Sequence, residues 1–134
     1  MVTPSAFQYR AAAVGITATV INDVIRAFYN KVRHDVILAP IFESAIGSNW
    51  DHHIEKICLF WLTATGLGSG YAARNFMPAH MRHRSIGAVE ISRWLTLFEE
   101  TLHERCAPEA GEVLLDIANR MAENIQVGIA RRDN

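Results

Sequence analysis

Three of the six histidines in this 134-residue chain lie where chemistry is plausible. His80 stands in a Met-Pro-Ala-His-Met segment, in which Pro78 fixes the backbone and the methionines offer soft apolar contacts. A neutral imidazole in such surroundings can ligate iron. His83 follows at H-x-x-H spacing, so the two histidines could instead hold zinc. Taken alone, such a histidine is more often a packed or surface residue, so the role of His80 has to be inferred together with other residues of the chain.

The third candidate, His53, lies on the apolar stripe of a predicted helix. Ser48 is its expected N-cap, with Asp51 in the capping-box position. Neighbouring helical residues point about 100° apart, so His53 should face apolar surroundings and His52 should be solvated. The stripe consists of Trp50, His53, Ile54, Ile57, Cys58, Trp61 and Ala64.

An earlier helix is predicted over residues 17–33, with Tyr29 at the edge of its apolar face. Residues 35–47 sustain no long period, which favours short turns that pack as a corner. The glycines of residues 66–70 follow no strand and open no helix, so they indicate a flexible connection rather than a phosphate loop. The stripe of the first helix consists of Ile21, Val24, Ile25, Phe28 and Val32.

Two further long helices complete the pattern. Pro108 suits the first turn of the last helix, and Arg131 and Arg132 favour its C-terminus. No strand alternation or internal repeat occurs, so the fold class is all-α, with four long helices whose central pair could cover a flat ligand. The two stripes are Ile91, Trp94, Leu95, Phe98 and Leu102, then Leu114, Ile117, Ala118, Met121 and Ile125.

Composition limits the classes of partner. The length of the chain, together with an apolar content of half its residues, predicts a single domain over residues 1–134. A net charge of −1 with scattered basic residues argues against nucleic acid, and no window approaches the ~20 apolar residues of a membrane span. Cys58 and Cys106 form no disulfide framework. We therefore expect a cytoplasmic protein without a targeting segment.

Several motifs follow one another along the chain: Phe28-Tyr29-Asn30-Lys31-Val32-Arg33, Pro40-Ile41-Phe42, Trp50-Asp51-His52-His53, Phe60-Trp61, His80 and Arg93-Trp94-Leu95-Thr96-Leu97-Phe98. In this order, and with compatible gaps such as the step from His80 to Trp94, they resemble the third group of truncated haemoglobins. The likeness covers residues 17 to 130. Residues 1–16 and the 66–70 loop match the pattern poorly.

The resemblance implies a shortened globin fold, a two-over-two helical sandwich around a haem b (iron protoporphyrin IX). His80 matches the family's proximal iron ligand. Tyr29, His53 and Trp94 match its distal ligand pocket, and Phe42 matches the aromatic residue that packs on the haem.

We further expect Lys56, one turn beyond His53, to pair with a haem propionate, ahead of Arg82 and Arg84. An exposed pair of this kind contributes only ~0–1 kcal/mol. His53 has three candidate roles: a polar contact to the ligand, a gate to solvent, or a sixth iron ligand.

The function that the resemblance implies is binding of O2, NO, CO or peroxide. Donors aimed at the ligand favour dioxygen, which becomes partly negative, over carbon monoxide. Tight retention suits chemistry more than oxygen transport, so NO dioxygenase-like or peroxidase-like activity with an unidentified reductase is expected. Signalling ranks lower, since no output domain fits this length. The alternative is a haem-free helical metal-binding or interaction module that uses His80 and His83.

Overall fold

The computed structural model describes residues 14–67 and 87–132, and these form helices without any strand. The all-α prediction is therefore confirmed for the described part of the chain. Four long helices and one short helix follow in order: α1 (Ala18–Val32), α2 (Ala39–Ile46), α3 (Trp50–Ala64), α4 (Ala88–Arg105) and α5 (Pro108–Arg132).

Helix α1 begins where the sequence predicts a helix and buries the predicted face. The hydroxyl of Thr17 caps it by accepting a hydrogen bond from the Val20 N–H, at 3.2 Å. Tyr29, expected at the edge of the apolar stripe, is only 5% exposed. It therefore belongs to the core, and its hydroxyl needs a partner there.

Helix α2 corrects the prediction of short turns over residues 35–47. Pro40 lies in the first turn of this helix, where a missing N–H costs nothing. Upstream, Asp35 Oδ2 accepts hydrogen bonds from the Ile37 and Leu38 N–H groups, at 3.1 and 3.0 Å. Because α2 has only eight residues, its apolar positions cannot repeat often enough to show a period.

The start of α3 also differs from the prediction, because its N-cap is Asn49 rather than Ser48. The first backbone hydrogen bond runs from the His53 N–H to the Asn49 carbonyl, at 3.0 Å. Asn49 has φ −94° and ψ 30°, and no side chain caps the helix. The expected capping box is therefore absent. Gly47, with φ +61°, makes the preceding turn in a conformation that glycine adopts without strain.

The core forms where α1, α3 and α4 meet. Phe28 and Phe98 are fully buried, and their rings contact edge to face with centroids 5.0 Å apart. Trp61 of α3 stacks on Phe98 at 5.2 Å. Aromatic rings from three helices thus share one contact region, and helix α5 packs against α4 beside it.

A buried carboxylate connects the α1–α2 turn to α4. Asp35 Oδ1 accepts from Arg93 Nε at 2.8 Å and lies 2.6 Å from Arg93 Nη2. The hydrogen bond from Arg93, with those from Leu38 and Ile37, holds the pKa of Asp35 below its ordinary value of 3.8, against the opposing effect of burial. No helix within residues 14–67 and 87–132 is long and apolar enough to cross a bilayer.

The lowered pKa of Asp35 predicts a particular pH dependence of stability. A carboxyl group with a depressed folded-state pKa stabilises the fold fully above its unfolded pKa, near 3.8, and that contribution disappears as the pH falls through the folded pKa. We expect Asp35→Asn to lower the urea midpoint near neutral pH. The difference from the parent protein should shrink as the pH falls below 3.8.

The measurement is urea unfolding followed by circular dichroism across that pH range. Glu123→Gln, which removes an exposed carboxylate on α5, is the matched control and should leave the midpoint unchanged. An Asp35→Asn midpoint equal to that of the parent at neutral pH would contradict the assignment.

Candidate functional site

Tyr29 lies at the centre of a cluster of rings drawn from α1, α2 and α3. Its ring centroid is 6.0 Å from that of Phe42 and 6.2 Å from that of His53. Trp50 adds a third ring at 6.3 Å. Two further helices, α2 and α3, therefore present aromatic or imidazole rings to the buried phenol of α1.

Trp94 of α4 affects the ionisation of the Tyr29 hydroxyl. Burial raises the pKa of Tyr29 well above its ordinary value of 10.0, and the Trp94 indole opposes part of that rise. The nearby Cys58 thiol adds a smaller upward contribution to the pKa. Phe28 contacts both side chains edge to face, with ring centroids 4.8 Å from Tyr29 and 5.6 Å from Trp94.

The position of Trp94 is fixed by the core. Its ring is nearly parallel to that of Phe98, with centroids 5.7 Å apart and an interplanar angle of 4°. Phe28 meets the same indole edge to face at 5.6 Å. The Trp94 indole is thus held by the same rings that join α1 to α4.

His53 lies at the border of the cluster and is half-buried. Its ring stands edge to face with Tyr29 and with Trp50, at interplanar angles of 85° and 88°. His52, its neighbour, is exposed, as the helical pattern predicts. Lys56 is also exposed on α3, and its pairing with a propionate stays a prediction.

The sequence analysis placed Trp50 on an apolar stripe but missed its contribution to the site. Its indole N–H donates to Glu43 Oε1 at 3.2 Å, and its ring stacks on Phe42 at 6.1 Å. The Arg33 guanidinium carbon lies 4.7 Å from the centre of that ring, within cation–π range. The shared face of Trp50 and His53, three residues apart on α3, was predicted, but the contacts of Trp50 with Phe42, Glu43 and Arg33 join separate helices and loops that no local spacing indicates.

His80, the predicted iron ligand on the opposite face of a haem, lies outside the described residues. So do His83 of the alternative zinc pair and Arg82 and Arg84, the weaker candidates for pairing with a propionate. Within residues 14–67 and 87–132 no group of three or more His, Cys, Asp or Glu side chains could hold a metal ion. The described part of the site is therefore the predicted distal part.

The donor set suits one face of a haem. Tyr29 offers a buried neutral hydroxyl, Trp94 an indole N–H and His53 an imidazole, while Phe42 adds an aromatic surface. Donors without a strong permanent charge suit a small ligand that acquires partial negative charge on binding. The residues present thus fit the cofactor that the sequence resemblance implies.

Helices packed around an aromatic pocket with buried polar donors define a small protein of the globin class. The model of the bacterial-like globin family matches residues 11–127, so it also includes residues 11–16, which the motifs match poorly. A group 3 truncated hemoglobin of Campylobacter jejuni is 34% identical over 109 residues, which are 79% of this chain and 85% of the relative.

A solved structure agrees with that match. The crystal structure of group III truncated hemoglobin from Campylobacter jejuni has a TM-score of 0.77 and 31% identity, covering 85% of this chain and 91% of that one. The chain therefore belongs to the bacterial-like globin family, among its group III truncated haemoglobins, and is a haem-binding globin. The family predicted from the motifs and the shortened globin fold are both confirmed.

Burial of Tyr29 makes a prediction about its ionisation. Because desolvation raises its pKa above 10.0, the phenol should remain protonated at a pH where an ordinary tyrosine is mostly ionised, about pH 11. The shift of a ¹³C-labelled phenol carbon in NMR reports the state of each tyrosine, and Tyr29→Phe assigns the signal. A Tyr29 signal that titrates near pH 10 would contradict the buried geometry.

Proposed function

We propose that the chain binds haem b, with His80 as the proximal ligand, and takes O2 and related diatomic molecules beside Tyr29, His53 and Trp94. The observation that carries this proposal is the buried Tyr29 phenol, whose ring lies 6.0 Å from that of Phe42 and 6.2 Å from that of His53. Haem, when bound, supplies the iron at which the small ligand binds. The protein supplies the donors.

Tyr29 and Trp94 act together in this proposal. The Trp94 N–H orients the phenol, and the phenol O–H donates to the ligand. A hydrogen bond to a charged acceptor contributes ~1.5–3 kcal/mol, which corresponds to roughly ten- to a hundredfold slower release. Carbon monoxide gains little from the same donor, because it acquires less charge.

His53 and Lys56 have places at the border of the proposed site. The half-buried His53 ring lies beside Tyr29, which supports a polar contact to the ligand or a gate to solvent. Lys56, exposed one turn further along α3, is proposed to pair with a propionate at the solvent edge. Phe42, 6.0 Å from Tyr29, is proposed to pack on the haem face.

Tight retention of dioxygen favours chemistry with NO or peroxide over oxygen transport. Turnover would require an electron donor, so we propose a reductase partner. Cys58 and Cys106 are free thiols, which supports a reducing cytoplasm as the location. Membership of the globin family favours this function over the haem-free module built on His80 and His83.

The proximal assignment predicts the visible spectrum. Protein purified from a haem-sufficient host should show an intense Soret band, and His80→Ala should lose the histidine-ligated spectrum. His83→Ala is the matched control, since it removes the other histidine of the pair and should leave the spectrum intact. An unchanged spectrum in His80→Ala would overturn the assignment, and a colourless protein would overturn haem binding.

The distal assignment predicts ligand kinetics. Stopped-flow dissociation of dioxygen should be roughly ten- to a hundredfold faster in Tyr29→Phe, and faster in Trp94→Phe. Dissociation of carbon monoxide should change much less in both variants. His52→Gln, at an exposed position on the same helix as His53, should match the parent. Unchanged dioxygen rates in both pocket variants would contradict the role of these donors.

A further inference from the structure

One buried carboxylate connects the chain segments that carry the aromatic residues of the pocket. Asp35 lies between Tyr29 of α1 and Phe42 of α2. Its Oδ2 accepts from the Ile37 and Leu38 N–H groups, at 3.1 and 3.0 Å. These bonds fix the turn that sets α2 relative to α1.

The other oxygen of Asp35 reaches α4 directly beside the pocket. Two guanidinium nitrogens of Arg93 converge on Oδ1, Nε at 2.8 Å and Nη2 at 2.6 Å. Asp35 is 5% exposed and Arg93 39%, so the contact lies at the protein's surface boundary with its acceptor inside. The planar guanidinium accepts a narrow range of orientations in such a contact.

Arg93 immediately precedes Trp94 in α4, so the contact between Arg93 and Asp35 affects the position of Trp94. Consecutive helical residues point about 100° apart on one rigid element, so a rotation of α4 that the contact restricts at Arg93 is restricted equally at Trp94. A side-chain tip lies about 6 Å from the helix axis, so a rotation of roughly 10° moves the indole by about 1 Å. When a positioned group moves by that distance, the rate that depends on its position can change by a large factor.

We propose that Asp35 and Arg93 are positioning residues of the ligand pocket, which hold Trp94 in its place beside the pocket, against the Phe28 ring that also contacts Tyr29, and so slow the release of dioxygen. The inference rests on the proposed function, because release is a property of the haem-bound protein. The pair acts through Trp94 and does not need to contact the ligand.

The test is a double-mutant cycle on the haem-bound full chain. Asp35→Asn keeps an oxygen for the turn and removes the charge that holds Arg93. We expect dioxygen to dissociate roughly tenfold faster, with carbon monoxide within about twofold of the parent. In a Trp94→Phe background the same substitution should have no further effect. Equal acceleration of both ligands, or a full effect without Trp94, would indicate general loosening and overturn the proposal.

An ion pair that joins α1 directly to α4 provides the control. Lys31 Nζ lies 2.6 Å from Glu104 Oε1, nearly three turns along α4 from Trp94. Lys31→Gln should leave dioxygen release unchanged, and an effect equal to that of Asp35→Asn would overturn the proposal.

Arg93→Lys keeps the positive charge but loses the contact of two guanidinium nitrogens with Asp35. It is the second test variant, to be used if Asp35→Asn does not fold. We expect Arg93→Lys to accelerate dioxygen release by a smaller factor. A parent protein without a Soret band would refute the proposed function itself. A normal Soret band with unchanged dioxygen release in both Asp35→Asn and Arg93→Lys would refute only the positioning role.

Discussion

The contact of Phe28 with both the Tyr29 phenol and the Trp94 indole is the interaction on which the site depends. The Phe28 ring meets Tyr29 edge to face at 4.8 Å and Trp94 at 5.6 Å, so one fully buried side chain helps to set the positions of two residues on different helices. Trp94 also opposes part of the rise in the pKa of Tyr29 that burial causes. Because Trp94 stacks on Phe98, at 5.7 Å, its position depends on the packing of the core.

The long helices could be predicted from sequence because their apolar faces repeat over many turns. Helices α1, α3, α4 and α5 occur where the period predicts them. Helix α2 was not predicted, because its eight residues form little more than two turns and its apolar positions do not repeat often enough to show a period. The N-cap of α3 is Asn49 and not the predicted Ser48, because the Asn49 carbonyl accepts the first hydrogen bond of the helix. Residue types alone do not show which of two neighbouring carbonyls will accept that bond.

The apolar period of the sequence predicted less of the site than of the fold. Tyr29, His53 and Trp94 lie on three helices, and their proximity depends on packing that no local pattern contains. The resemblance to a family supplied that grouping. The contact between Asp35 and Arg93 joins positions 58 residues apart, so neither residue carries a sequence signal for the other. His80, outside the described residues, stays a prediction.

The stacking of two indoles on one phenyl ring has a consequence for the entropy of ligand capture. Trp61 and Trp94 both stack on Phe98, with centroids 5.2 and 5.7 Å away. A side chain held against core rings has already lost rotational freedom during folding, and this applies to the buried Trp61 and to the half-buried Trp94. The incoming molecule therefore need not immobilise the indole, and the conformational cost of assembling this wall of the pocket falls on folding rather than on each binding event.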